Sequence, residues 1–313
     1  MTCHNCRVEC RRYGKHRNGW QRYQCATCGK TFTAPHERPF DQMNTKADRG
    51  LAALRMLLEG NSVRSTERIT DLHRDTILRL VVLVGEECEG VMGRLLVKIP
   101  VKDVQCDEIW TFVGKKEAHK LPSEEDDNSI GDVYCFVAIE RTTKLVLNFA
   151  LGRRDQKTTD VFIEGLRAAT APQRFQITTD GFQPYISAIT TTLSDRCDFA
   201  QLVKVYAADP EADHKYSPPD VRNAEKIPIM GSPDSAKICT SHVERQNLTI
   251  RMQMRRLTRL TNAFSKKWDN LWAAYCLHFG WYHFCRIHQT LRITPAMAAG
   301  ITDHVWNLEE LLK

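Results

Sequence analysis

"VQCDEIWTFVG", residues 104–114, is the stretch on which the reading of this 313-residue chain turns. Its Val, Ile and Phe content is that of a buried β-strand. Asp107 interrupts it. A carboxylate placed among apolar strand residues is costly unless it is paired or holds a cation.

Working outward, the period of the chain changes at about residue 100. "DVYCFVAIE" (132–140) and "KLVLNFALG" (144–152) read as two more strands. "DQKTTDVFIEGLRAAT" (155–170) reads as a helix capped by Asp155 or Thr158. "RFQITTD" (174–180) is a fourth strand, "FQPYISAITTTL" a short helix, and "CDFAQLVKVY" (197–206) a fifth strand. A meander followed by alternating helix and strand is mixed α/β architecture. Residues 207–240, rich in Pro, Asp and Ala, read as a long loop or flap. "TSHVERQNLTIRMQMRRLTR" (240–259) reads as a basic helix. The apolar "WDNLWAAYCLHFGWYHFCRIHQTL" (268–291) is a helix or helix pair, with Trp272, Trp281 and Phe284 expected against the sheet. His283 and His288, nearby, are not needed by a carboxylate site.

Before residue 100 the chain is of another kind. Cys3-x2-Cys6 and Cys25-x2-Cys28 are two knuckles that place four thiolates around one tetrahedral ion, so a structural Zn2+ is expected. The basic, aromatic residues between them would form a short hairpin, a zinc ribbon; Cys10 and His4 are left out of the ligand set. "TKADRGLAALRMLLEG" (45–60) carries leucines at helical spacing, with Thr45 and Asp48 as a capping box and Gly60 as a stop. "SVRSTERI" (62–69) and a helix from Arg74 follow. Three helices with a tight turn before the third have the form of a helix-turn-helix, with Arg74 and Arg79 facing outward.

The charge supports a polyanionic partner. Residues 1–40 hold eight Lys or Arg, Arg17 and Arg22 among them, against Glu9 and Glu37. Residues 241–267 hold seven, including Arg245, Arg251, Arg255, Arg256 and Arg259, against Glu244 alone. Two separated basic surfaces suit a polyanion touched at two places. No apolar run approaches the roughly 20 residues of a membrane span, and "MTCHNCRVEC" lacks the apolar core of a secretion signal. The expected compartment is the cytoplasm, with no membrane partner.

Glu244 among cations, Asp107 inside a strand and Asp180 at a strand end before Gly181 form a set. Three hard carboxylates suit Mg2+ (or Mn2+), and two such ions clamp the oxygens of a phosphoryl displacement. By strand alternation, Glu108 points to the face opposite Asp107.

"CDEIWTFVGKK", "TTDGFQPY" and "HVERQNLTIRMQMRRLTRLTNAFSKK" closely resemble the catalytic segments of the IS-one insertion-sequence transposases, DDE recombinases with a ribonuclease-H-like core. The resemblance implies a multidomain α/β chain: zinc ribbon 1–40, helix-turn-helix 41–98, ribonuclease-H-like catalytic domain 99–260 and C-terminal helices 261–313. It implies Asp107, Asp180 and Glu244 as catalytic ligands of two Mg2+ ions, and Arg251 as a residue that grips DNA. It further implies a prokaryotic, nucleoid-associated enzyme that binds the terminal inverted repeats of an insertion sequence as a homodimer or higher oligomer. Such an enzyme cleaves the element ends and joins their 3′-OH groups to target DNA. Two other readings stay open at this point. One is a ribonuclease-H-like nuclease or resolvase without strand transfer; the other is a domesticated DNA-binding regulator using only residues 1–95.

Overall fold

The computed structural model describes residues 1–15, 20–33, 40, 43, 45–206 and 221–312. Arg17, expected to touch DNA, lies outside them. The cysteine-rich segment forms a three-stranded antiparallel sheet in the order β1 (Arg11–Lys15), β2 (Gln21–Gln24), β3 (Thr31–Thr33). Its small core is Cys3, Cys10 and Cys25, flanked by Tyr23 and Phe32.

Three helices follow: α1 (Ala47–Leu58), α2 (Val63–Thr70) and α3 (Arg74–Leu95). α1 begins one residue later than the Thr45–Asp48 box requires. Lys46 is its N-cap and makes no side-chain cap bond, while Asp48 sits in the first turn where the helix dipole favours an acid. Ser62 Oγ caps α2, accepting from the Ser65 N–H at 3.0 Å. Asp71 takes a left-handed conformation (φ 52°) and turns the chain into α3, whose cap is His73.

The main sheet is built from β4 (Asp103–Val113), β5 (Gly131–Glu140), β6 (Val146–Gly152), α4 (Gln156–Ala169), β7 (Phe175–Thr179), α5 (Pro184–Thr192), β8 (Cys197–Tyr206) and β9 (Val221–Met230). Strand order is β6-β5-β4-β7-β8-β9. β4, β5 and β6 pair antiparallel, β4–β7 and β7–β8 parallel, and β9 returns antiparallel on β8. The sheet is therefore mixed, as the change of period implied. α6 (Ser241–Gln253), α7 (Trp268–Phe284) and the short α8 (Pro295–Ala298) complete the chain.

Two expectations need correction. The 207–240 segment is not all loop: residues 221–230 form β9, and 207–220 lie outside the described residues. β9 hides from periodicity because its described side chains are mostly exposed, with no apolar alternation. The basic helix of 240–259 ends at Gln253, where Met254 goes extended (φ −108°, ψ 98°) without any Gly or Pro to announce it.

One apolar core runs from Phe40 through α1, α3, the sheet, α6 and α7 to Leu311. α3 and α7 cross at very close range. A Cβ on Gly85 would lie 2.5 Å from the Ala273 carbonyl oxygen, and one on Gly280 2.8 Å from Cys88 Sγ. α7 in turn lies on β6, with Phe149 against Trp272 (5.1 Å between ring centroids) and Phe279 (4.7 Å). Phe284 stacks on Trp306 (4.6 Å) rather than on the sheet, and Trp281 stays half-buried beneath the Arg286 guanidinium. His283 is buried; its Nε2 accepts from the Val146 N–H at 3.2 Å, and burial drives its imidazole down to about 3. It is a neutral core residue.

Candidate active site and cysteine cluster

β4 pairs with β7 only over Asp103–Gln105. Beyond Gln105 the β7-side edge of β4 opens at the carboxyl ends of two parallel strands, where open α/β sheets place their ligands. Asp107 faces α6, whose Asn247 Nδ2 donates to its Oδ2 at 2.9 Å. Glu108 faces α4 and α5; Arg154 Nε donates to its Oε2 at 3.0 Å. Alternation thus holds for the strand, but it does not separate the two acids. One carboxylate oxygen each from Asp107, Glu108 and Asp180 lies within 4.8 Å of the others. Residue-by-residue reasoning left Glu108 out; the open edge of β4 admits both neighbours to one place.

Asp180 directly follows β7 and accepts the Phe182 N–H at 3.0 Å, so the turn aims it over the sheet end. Arg154 Nη2 stands 3.6 Å from it, and the guanidinium lies 4.0 Å from the Phe182 ring centroid. Burial, then the charges of Glu108 and Asp180, push the Asp107 carboxyl from 3.8 up to about 7. Burial likewise raises Glu108. The buried Tyr185 hydroxyl and the Arg154 guanidinium, both hydrogen-bonded to it, work in the other direction.

Glu244 lines the same open cleft of about 680 Å3 as Asp107, Asp180, Arg154 and Lys204, but stands outside the three-oxygen cluster. It pairs with Lys204 and accepts from Thr240 Oγ1 at 2.5 Å. Its helix is tied to β4 by a side chain from the sheet: buried Gln105 Oε1 accepts the His242 N–H (2.9 Å) and the Val243 N–H (3.2 Å). Thr240, the N-cap residue, makes no cap bond of its own, so Gln105 takes that role.

The donor set is oxygen-only and crowded, and burial raises two of its carboxyls, Asp107 and Glu108. Hard divalent cations such as Mg2+ fit such a set.

At the other end of the chain, Sγ atoms of Cys3, Cys6, Cys25 and Cys28 all lie within 4.8 Å of one another, with Cys3 to Cys28 at 3.7 Å. Tetrahedral zinc with Zn–S of about 2.3 Å requires S···S separations of about 3.8 Å. The Cys28 and Thr27 backbone N–H groups pull the Cys25 thiol down, toward the ligating thiolate. The four residues fit zinc.

The basic residues divide. Arg245, Arg255 and Arg259 are exposed, as are Arg74 and Arg79 on α3. Arg22 is half-buried on β2, its guanidinium 5.5 Å from the Tyr13 ring centroid. Arg251 and Arg256 turn inward. Arg251 donates to the carbonyls of Leu257 (2.9 Å) and Trp110 (3.3 Å). Arg256 donates to Ser265 Oγ at 3.0 Å and to the Asn270 carbonyl, and burial lowers its guanidinium to about 10. Both tie the segment after α6 to its surroundings.

No family model and no curated protein matches the chain. Among solved structures it is similar to the piggyBac transposase of a cryo-EM synaptic complex with hairpin DNA, at 11% identity and a TM-score of 0.35, over 89% of this chain and 71% of that one. A likeness this slight carries no functional argument. No helix among the described residues is long and apolar enough to cross a membrane.

Proposed function

We propose that this chain is a DDE transposase of the IS-one kind, with a ribonuclease-H-like core, that cuts the ends of an insertion sequence and joins them to target DNA. The observation that carries the reading is the acid cleft. Asp107 from a strand, Asp180 from the end of its parallel neighbour and Glu244 from the following helix line one cavity beyond the sheet, beside Arg154 and Lys204. The strand order supports it: a three-stranded meander continued by parallel strands on the side of its first strand.

Asp107 and Asp180, with Glu108 and Glu244 beside them, would hold Mg2+ or Mn2+, which offsets phosphate charge and activates the attacking oxygen. The chain's own cations then hold the DNA, with Arg154 and Lys204 beside the reacting phosphate and Arg245, Arg255 and Arg259 along the backbone. In the first step water attacks a phosphodiester at the element end; a P–O bond forms, the bond to the 3′-oxygen breaks, and that oxygen leaves as a 3′-OH. In the second step this 3′-OH attacks a target phosphodiester, one P–O bond again replacing another. A zinc ribbon (1–40) and a helix-turn-helix (41–98) would read the inverted repeats ahead of the catalytic segment 99–260 and the C-terminal helices. Two ends cut together imply a dimer or larger assembly in a prokaryotic cytoplasm.

The test uses full-length protein, Mg2+, a DNA fragment carrying the repeats that flank the coding region, and a plasmid target. Joined product with wild type and none with Asp107→Ala is expected. Cleavage without joining would reassign the chain as a nuclease; joining that survives Asp107→Ala would overturn the site.

A further inference from the structure

Glu108, Trp110 and Phe112 succeed one another on one face of β4, each about 7 Å beyond the last. The two rings are half-buried and adjacent, with centroids 5.8 Å apart. Phe264, from the segment after α6, extends the row at 4.5 Å from Phe112. Lys116 Nζ lies 5.5 Å from the Trp110 ring centroid and Lys266 Nζ 3.7 Å from that of Phe264. A cleft of about 700 Å3 runs along this ledge, and Arg259 and Leu260 line it too. Leu260 is 87% exposed, more than any other large apolar side chain among the described residues, and it sits in the left-handed region at φ 55°. A bulky side chain in that conformation, aimed at water, is held there against its preference.

Phe136, Phe162 and Tyr185, under α4 and α5, are fully enclosed. Rings left accessible, with cations over them, beside an acidic cluster and an exposed apolar side chain, have a specific use. Aromatic platforms with basic neighbours stack unpaired bases, and apolar wedges enter the gap left in a duplex. Arg251 stabilises the arrangement by bonding the Trp110 carbonyl to that of Leu257 at the entrance to the Leu260 turn.

We propose that the Trp110–Phe112–Phe264 ledge holds one nucleobase extruded from duplex DNA next to the acid cleft, with Leu260 filling its place and Lys116, Lys266 and Arg259 holding its phosphates. The site rests on the transposase reading for its biological setting, but its chemistry can be tested without catalysis.

The experiment uses full-length Asp107→Asn protein without divalent metal. It compares a duplex carrying one bulged 2-aminopurine with the same duplex fully paired, and separately with a single-stranded oligonucleotide carrying the same base. Tighter binding of the bulged duplex by about fivefold or more is expected, the equivalent of the lower end of base–aromatic stacking, with a change in 2-aminopurine fluorescence. Phe264→Ala and Trp110→Ala should abolish the preference while leaving paired-duplex affinity within twofold. Leu260→Ala, at a position too exposed to affect folding, should reduce it for the bulged duplex only. No preference in the parent protein, or a preference that survives all three substitutions, overturns the proposal. Failure of strand joining in the separate assay, with the preference intact, would remove the transposase reading and leave the ledge standing. Binding of the single strand alone would also overturn extrusion from a duplex.

Discussion

The two ligand clusters of this molecule are built in opposite ways. The four cysteines come from two tight knuckles separated by a short hairpin, and among the described residues the buried core there is two of them, Cys3 and Cys25, with Cys10. The acids come from β4, the end of β7 and the start of α6, far apart in the chain, and stand on a six-stranded sheet with a large core. On the proposed reading, zinc would close the first cluster and hold its fold; the acids stand on the sheet without an ion and repel each other. The same removal of metal should therefore unfold one region and stabilise nothing in the other.

The largest expected effect follows at once. Stripping zinc with a strong chelator, or Cys25→Ser, should unfold residues 1–33 completely, since structural zinc contributes about 10–16 kcal/mol in isolated modules. Hydrogen exchange of the full chain should show that loss while the strands β4 to β8 stay protected. Protection of both regions would break the contrast. Next, Asp107→Ala should lower strand cleavage and joining by about a hundredfold to a thousandfold, the scale of losing a charge-stabilising group at a reacting phosphate, yet leave the melting temperature in EDTA unchanged or raised. A lowered melting temperature would mean that the acids support the fold.

The third effect is in pH. The folded value of Asp107, about 7, lies above its ordinary 3.8, so the folded chain keeps a proton that the unfolded chain releases. That stabilising contribution is full below about pH 4 and is lost as pH rises through 7. Metal-free protein should be more stable at pH 5 than at pH 8 by roughly 2 kcal/mol from this group, at about 1.4 kcal/mol per tenfold in proton affinity. Urea denaturation at both values, with Asp107→Asn as the comparison, measures it; equal differences in the two proteins would assign the effect elsewhere. The smallest effect concerns the hydrogen bond from Asn247. Asn247→Ala should cost about 1 kcal/mol at pH 8 and move the Asp107 titration upward, as read by 13C shifts of the carboxyl. An unmoved titration would separate α6 from the cluster.

Much of this was legible before any coordinates. Strand 132–140 differs from β5 by one residue at one end and 174–180 from β7 by one residue at each end, because apolar runs bounded by polar turns leave little choice. Asp155, one of the two caps the sequence offered, caps α4, its Oδ1 accepting from the Thr158 N–H at 2.8 Å. What stayed hidden depends on tertiary surroundings. Glu108 joins Asp107 because β7 stops pairing after Gln105, a fact about a neighbour 70 residues away. Arg251 and Arg256 look like any other cations in a basic run, and only packing decides that their guanidinium groups face carbonyls. Lys204 and Arg154, which stand among the acids, carry no local pattern that marks them.

If the chain is the transposase proposed above, the α3–α7 crossing has a consequence for how far apart reading and cutting can be. α3 is 22 residues long, about 33 Å at 1.5 Å per residue. Gly85 and Gly280 let it seat without slack on α7, which itself is pressed onto β6. The outward arginines at its start and the acids at the ends of β4 and β7 are thus fixed points on one stiff frame. Such a frame works as a ruler: the number of base pairs between a recognised sequence and the broken bond would be set by the geometry of a helix, not by the reach of a tether.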